Sequence, residues 1–206
     1  MGAYAALVLA GGAARRMGGV DKPARTVGGL SMRDRVLAAV ADADPCILVG
    51  PPGPVPPGVR VTREDPPGGG PVAAAAAGLA LLDASTPVVA LLAADLPLLT
   101  RAAVGGLLDR LDADHDGACY VDAGGWRQIL CGVWRFAPLR AALDRLAVER
   151  AGRAPQGAPA PLAGAPVRDL LAGLRVNEVS WPGVGPPPWF DCDTDEDVRR
   201  AEEWTR

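Results

Sequence analysis

The residues able to do chemistry crowd into one stretch, positions 9 to 22, LAGGAARRMGGVDK. Gly11 and Gly12 let the backbone approach a ligand closely and turn N–H groups toward an anion. Arg15, Arg16 and Lys22 add positive charge, arginine as a bidentate fork and lysine as a point charge. A Gly pair alone would be a connector with solvated arginines beside it. Its coincidence with three cations directly after an apolar run favours polyphosphate binding. The stretch is neither a Walker A loop nor GxGxxG, because the required Gly-Lys-Ser/Thr step and glycine spacing are both missing. Lys22 is the single lysine beside 20 arginines. In a chain whose default cation is arginine, that lysine reads as kept for its chemistry.

Asp95 is the second candidate. It closes an apolar run, ALLAADLPLL, where an unpaired carboxylate costs free energy unless it meets a cation. Mg²⁺ takes oxygen ligands and bridges to substrate phosphates, so a metal role is favoured over a loop-stabilising one. Glu64-Asp65 could reach a base, a ribose or the metal, against a plain exposed turn pair. Gly68 to Gly70 precede Pro71, which places backbone donors at a helix start or simply makes a tight turn. Asp191, Asp193, Asp195 and Asp197 form an acidic group, with the last two suited to a helix's first turn. His115, the only histidine, sits in an acidic run as a surface residue.

The bulk properties narrow the classes. A chain of 206 residues with 49% hydrophobic content suits one folded domain. Its net charge of −3 argues against general nucleic-acid or anionic-membrane binding. The four cysteines have no metal-type or CxxC spacing, so they read as buried thiols of a reducing compartment. One histidine and no GxSxG make a zinc centre or a Ser-His-Asp triad a poor fit. With no basic leader and no long apolar run, the expected location is cytoplasmic.

These candidates need elements to hold them. Residues 4–10 and 88–92 read as buried strands, and residues 46–49 and 59–62 as short strands. Helices are expected from Ser31 to about 42, from Pro71 to about 83, and from a Thr100 cap to about 111. This strand-helix alternation predicts an α/β, Rossmann-like, doubly wound and mostly parallel sheet with helices on both faces. The common 3-2-1-4 core order would set the loops after strands 1 and 4 facing each other across the switch-point crevice. The second half reads as a mixed C-terminal part. It has strands at 118–121 and 127–134 around Ala123-Gly124-Gly125, then a helix at 138–150. A mobile surface loop at 151–166 follows, then a short helix at 167–174 and a strand at 176–179. A last helix is capped by Thr194 with Asp197. We expect one domain over 1–206, with a nucleotide-binding half (1–111) and an acceptor-binding half (112–206).

With these residues assembled, LAGGAARRMGGVDK resembles the signature of the molybdenum cofactor guanylyltransferases, within the GT-A-like nucleotidyltransferase superfamily. Glu64-Asp65, Gly70-Pro71 and Asp95-Leu96-Pro97 follow in the family's order, and the closing DCDTDEDV is similar to its NVNTPEDL segment. The resemblance implies transfer of GMP from GTP to molybdopterin carrying molybdenum, with Mg²⁺ and release of pyrophosphate. It further implies that Leu9, Ala10, Gly11, Gly12, Lys22 and Asp65 bind the nucleotide. Asp95 would hold both nucleotide and Mg²⁺, Lys22 and Arg16 would act on the phosphates, and Gln128, Asp191 and Asp193 would lie toward the acceptor. The chain departs from the family at Asp191 and Asp193, where asparagines are usual, and at Gly50, where some relatives have asparagine. A transferase using CTP or another acceptor stays open, as does a nucleotide-binding module without turnover.

Overall fold

Ala5–Leu9 carries no polar side chain, and all five residues are buried as strand β1 at the middle of a seven-stranded sheet. The computed structural model describes residues 3–11, 22–153, 160–182 and 185–205. After β1 come a 3-10 turn (Lys22–Ala24), a small hairpin of β2 (Thr26–Val27) and β3 (Leu30–Ser31), and helix α1 (Met32–Ala39). Strand β4 (Cys46–Val49), strand β5 (Val59–Thr62), helix α2 (Pro71–Leu79), strand β6 (Val88–Ala93) and helix α3 (Arg101–Arg110) complete the first half. The second half holds β7 (Gly117–Val121), β8 (Arg127–Arg135), α4 (Phe136–Arg153), α5 (Val167–Leu170), β9 (Val176–Ser180) and α6 (Asp195–Trp204).

The sheet order is β5-β4-β1-β6-β8-β7-β9. All pairings are parallel except those of β8, which runs against both neighbours. The carboxyl ends of β5, β4, β1, β6, β7 and β9 therefore share one edge. Alternation along β1 divides the core by face: Ala6 and Val8 pack with α1 and α3, whereas Leu7 and Leu9 pack with α2 and α4. This is the mostly parallel α/β sheet, covered on both faces, that the strand-helix alternation predicts.

Several local expectations follow their physics. Thr100 caps α3 through the Ala103 N–H at 3.1 Å, and Thr194 with Asp197 forms a full capping box on α6. Ser31 caps α1 by accepting from Asp34 N–H at 3.0 Å, but the helix stops at Ala39 rather than near 42. Asp42 beyond it accepts from the Tyr4 hydroxyl at 2.7 Å and pairs with Arg101. The β2–β3 hairpin is new relative to the sequence reading. It turns through Gly28 and Gly29, both at positive φ (58° and 81°), the geometry a two-residue hairpin turn requires.

The surface loop expected over 151–166 is corrected by its described parts. Residues 151–153 continue α4, and residues 160–166 are tied down. Arg150 donates to the Pro161 and Ala163 carbonyls at 2.6 and 3.1 Å, Gly164 N–H donates to Gly69 O at 2.7 Å, and Ala165 is buried. These backbone and guanidinium bonds outweigh the loop-like composition there. Among the described residues, no helix is long and apolar enough to cross a membrane.

One contact in the second half of the chain has a large expected effect on stability. Gly117 of β7 stands opposite Trp134 of β8, and the fully buried indole folds across it. A Cβ at Gly117 would lie 2.1 Å from Trp134 Cε3. Gly117→Ala should therefore destabilise by about 3 kcal/mol, the upper end of overpacking costs, read as a shift in the urea midpoint. A loss under about 1 kcal/mol would mean that the ring slides aside and the contact is not a constraint.

Candidate active site

Backbone bonds keep the carboxyl ends of the strands in step. Ala10 N–H donates to Val49 O at 2.8 Å, Ala94 N–H to Leu9 O at 3.0 Å, and Gly50 N–H to Thr62 O at 2.8 Å. The three residues after Val8 thus remain part of the sheet edge: Leu9 is buried, and Ala10 and Gly11 are half-buried. Gly50 is buried against them, where an added Cβ would lie 3.0 Å from Ala10 Cβ and 3.1 Å from its carbonyl carbon. Close approach by the opening loop explains glycine at that position. Gly12, Arg15 and Arg16 lie outside the described residues.

Asp95 stands two residues beyond the end of β6, half-buried, at the next position along the same edge. Its carbonyl accepts from Cys192 N–H at 3.3 Å, which brings the exposed Asp191 and Asp193 to either side of that contact. The same segment reaches the turn that follows β1 through Arg25. Lys22 opens the 3-10 turn, and Arg25 after it forms an ion pair with Asp195 at the start of α6. Arg35 of α1 then fastens the arrangement, donating to Pro97 O at 2.7 Å and to Val27 O at 3.1 Å. Under this frame Val27, Met32, Leu98, Cys192, Val198 and Ala201 form a separate apolar cluster. The turn after Lys22 and the Asp95 loop are therefore each tied to the segment that runs from Cys192 to Asp195.

Gln128 is placed differently. Its side-chain amide donates to Asp122 Oδ2 and Trp126 O, both at 3.2 Å, within the β7–β8 turn. The β6–β8 register pairs Leu92 with Cys131. That is the last pair of the ladder, three residues short of Gln128.

The carboxylate pair after β5 splits. Asp65 is exposed, whereas Glu64 is 3% exposed and is the one buried charged side chain among the described residues. Glu64 Oε1 accepts from Gly68 N–H at 2.9 Å, and a Cβ on Gly11 would lie 3.0 Å from that oxygen. The safer reading of an exposed turn pair therefore holds for one residue only. A buried glutamate beside the opening loop was missed, and its composition-level signal was no more than adjacency to Asp65. Burial also pushes the Cys46 and Cys119 thiols up to about 11 and raises Cys131. None of the three supplies a thiolate at neutral pH.

The Asp95 carboxylate is an oxygen donor of the kind that would suit a hard cation. Among the described residues no group of three or more His, Cys, Asp or Glu side chains could hold a metal. An ion held by one or two carboxylates, with the remaining positions left to phosphate and water oxygens, is the Mg²⁺ pattern and not that of zinc or of a calcium cage.

Residues 6–160 match the family model for the MobA-like NTP transferase domain. A molybdenum cofactor guanylyltransferase of Bradyrhizobium sp. (strain ORS 278) is 32% identical over 204 residues, covering 95% of this chain and 90% of that protein. The molybdopterin-guanine dinucleotide biosynthesis protein A of Archaeoglobus fulgidus superposes with a TM-score of 0.68 at 17% identity, covering 97% of each chain. The 2-C-methyl-D-erythritol 4-phosphate cytidylyltransferase of Thermus thermophilus gives 0.65 at 22% identity over 98% of each. The two structural likenesses carry the fold, and the sequence matches carry the family. The chain belongs to the MobA-like NTP transferase domain family and is a nucleotidyltransferase, as the resemblance in its opening loop implies.

Proposed function

We propose that this protein transfers GMP from GTP to molybdenum-molybdopterin, releasing pyrophosphate and forming the guanine dinucleotide form of the cofactor. The observation that supports this reading is that the Leu9–Gly11 edge and the Asp95 loop adjoin at the carboxyl ends of β1 and β6, with the turn that Lys22 opens tied through Arg25 to the same C-terminal segment that meets Asp95. In this reading residues 1–111 hold the nucleotide and residues 112–206 the acceptor. Leu9, Ala10, Gly11, Gly12 and Asp65 take the guanine nucleotide, Lys22 and Arg16 its phosphates, and Gln128, Asp191 and Asp193 face the acceptor.

An acceptor phosphate oxygen attacks the α-phosphorus in line. The new P–O bond forms as the bond to the β-phosphate oxygen breaks, and pyrophosphate carries away the electron pair. Positioning and charge neutralisation supply most of such a reaction, so no protein nucleophile is required. Asp95 would hold Mg²⁺, whose contribution is to offset negative charge on the phosphates. Lys22 and Arg16 neutralise the departing pyrophosphate.

The test is a thermal-shift screen with GTP, CTP, ATP and UTP, each with and without Mg²⁺, followed by pyrophosphate release on adding molybdopterin. A ligand at about 100 times its dissociation constant should stabilise by about 2.7 kcal/mol, and GTP with Mg²⁺ is expected to give the largest shift. A preference for CTP would sink the guanylyl assignment, and binding without pyrophosphate release would favour a module without turnover.

A further inference from the structure

Glu64 holds an unused acceptor. Its Oε1 is engaged by Gly68 N–H, but Oε2 is buried and has no hydrogen-bond partner. An unsatisfied, solvent-shielded carboxylate oxygen is costly, and a chain that keeps one at a ligand crevice leaves it available for a donor. The position is informative. Glu64 follows β5, and its carboxylate reaches across the end of β4 to lie under Gly11, beyond β1. A Cβ at Gly11 would be 3.2 Å from Oε2, so glycine is what allows this approach.

We infer that Glu64 reads the Watson–Crick edge of guanine. This inference rests on the guanylyl reading and adds the residue that selects the base. Of the four bases, guanine alone presents two adjacent donors on that edge, N1–H and the N2 amino group. Cytosine and adenine each set a ring-nitrogen acceptor beside their amino group, and uracil flanks its one N–H with carbonyls. A carboxylate accepts from guanine and faces lone pairs in the others. Because Oε2 is shielded from water, a base without the matching donors leaves it unpaired, and that penalty is what makes such a site discriminate. Gly11, which has no side chain, lies against the carboxylate, and in this reading the base edge enters beside it.

The experiment measures dissociation constants of GTP, ITP (which lacks the N2 amino group), N1-methyl-GTP, CTP and ATP. Wild type is compared with Glu64→Gln, which keeps an oxygen for Gly68 N–H but turns a donor toward the base. Wild type should bind ITP about 10-fold more weakly than GTP and N1-methyl-GTP about 100-fold more weakly, the scale of one lost buried hydrogen bond and of an added clash. In Glu64→Gln, GTP should weaken about 30-fold and the GTP-to-ITP ratio should collapse toward unity. A glutamate that only braces the Gly68 turn would weaken all nucleotides alike and keep that ratio, which overturns the inference. So would wild type that binds N1-methyl-GTP as tightly as GTP, a result that needs no variant to fold. If wild type fails to prefer GTP over CTP and ATP, the guanylyl reading itself falls. A GTP preference that survives in Glu64→Gln sinks only the assignment of Glu64.

Discussion

Asp95→Ala is expected to lower nucleotidyl transfer by about 10³-fold or more, equivalent to roughly 4 kcal/mol of transition-state stabilisation. The fold should stay intact. Asp95 is half-buried, beyond the last residue of β6, and its backbone carbonyl, which alanine keeps, accepts from Cys192 N–H of the C-terminal segment. The strand before it is held by apolar burial on both faces, with Val89 to Leu92 essentially inaccessible. Pyrophosphate release at increasing Mg²⁺ checks the role, and a thermal melt checks the fold. Asp95→Asn separates charge from shape: if the carboxylate holds the ion, asparagine should be nearly as damaging and should need far more Mg²⁺. A variant within about 10-fold of wild type, at the same Mg²⁺ dependence, would remove Asp95 from the reaction.

The candidate site was legible where chemistry and hydrophobicity contradict each other. Asp95 ends a run of buried strand residues, and such a carboxylate stands out without any structure. Glycine at positions 11 and 12 beside several cations gives the same kind of signal. The sheet was legible because β1, β4 and β6 at its centre are apolar throughout, and because α1, α3 and α6 carry side-chain caps. Thr100 and the Thr194–Asp197 box form the bonds that their spacing predicts.

What escaped is physically different. The β2–β3 strands have two residues each, too short for any period to show, and their fold comes from the Gly28-Gly29 turn and the burial of Val27. Arg35 looks like any other helical arginine until its guanidinium is seen bridging Val27 and Pro97. Which of two adjacent carboxylates turns inward is set by the neighbouring chain. Glu64 is drawn in by Gly68 N–H and the open Cα of Gly11, whereas Asp65 is left exposed. The described end of the 151–166 segment is held by partners 11 to 95 residues away, Arg150 and Gly69, which composition does not register.

Lys22 provides the other large effect, and the chain's own composition sharpens its test. Twenty of the 21 basic residues are arginine, so any site content with a generic cation should accept arginine here as well. Lysine differs in being a compact ammonium with three donors on a flexible stem, whereas the guanidinium is a planar fork with a fixed geometry. If Lys22 acts as a point charge on the phosphates of the bound nucleotide, Lys22→Ala should reduce kcat/KM about 10²- to 10³-fold, about 3 to 4 kcal/mol. Lys22→Arg should recover little of that. Neither change should lower the melting temperature by more than a degree or two, because the turn that Lys22 opens is anchored through Arg25 to Asp195 and through Arg25 O to Met32 N–H at 2.9 Å. The split between parameters is equally specific. A charge felt mainly as pyrophosphate departs lowers kcat, while one that only holds the ground-state nucleotide raises KM with kcat preserved. Full activity in Lys22→Arg would show that position 22 asks for charge alone, and the retention of one lysine among 20 arginines would then have no chemical meaning.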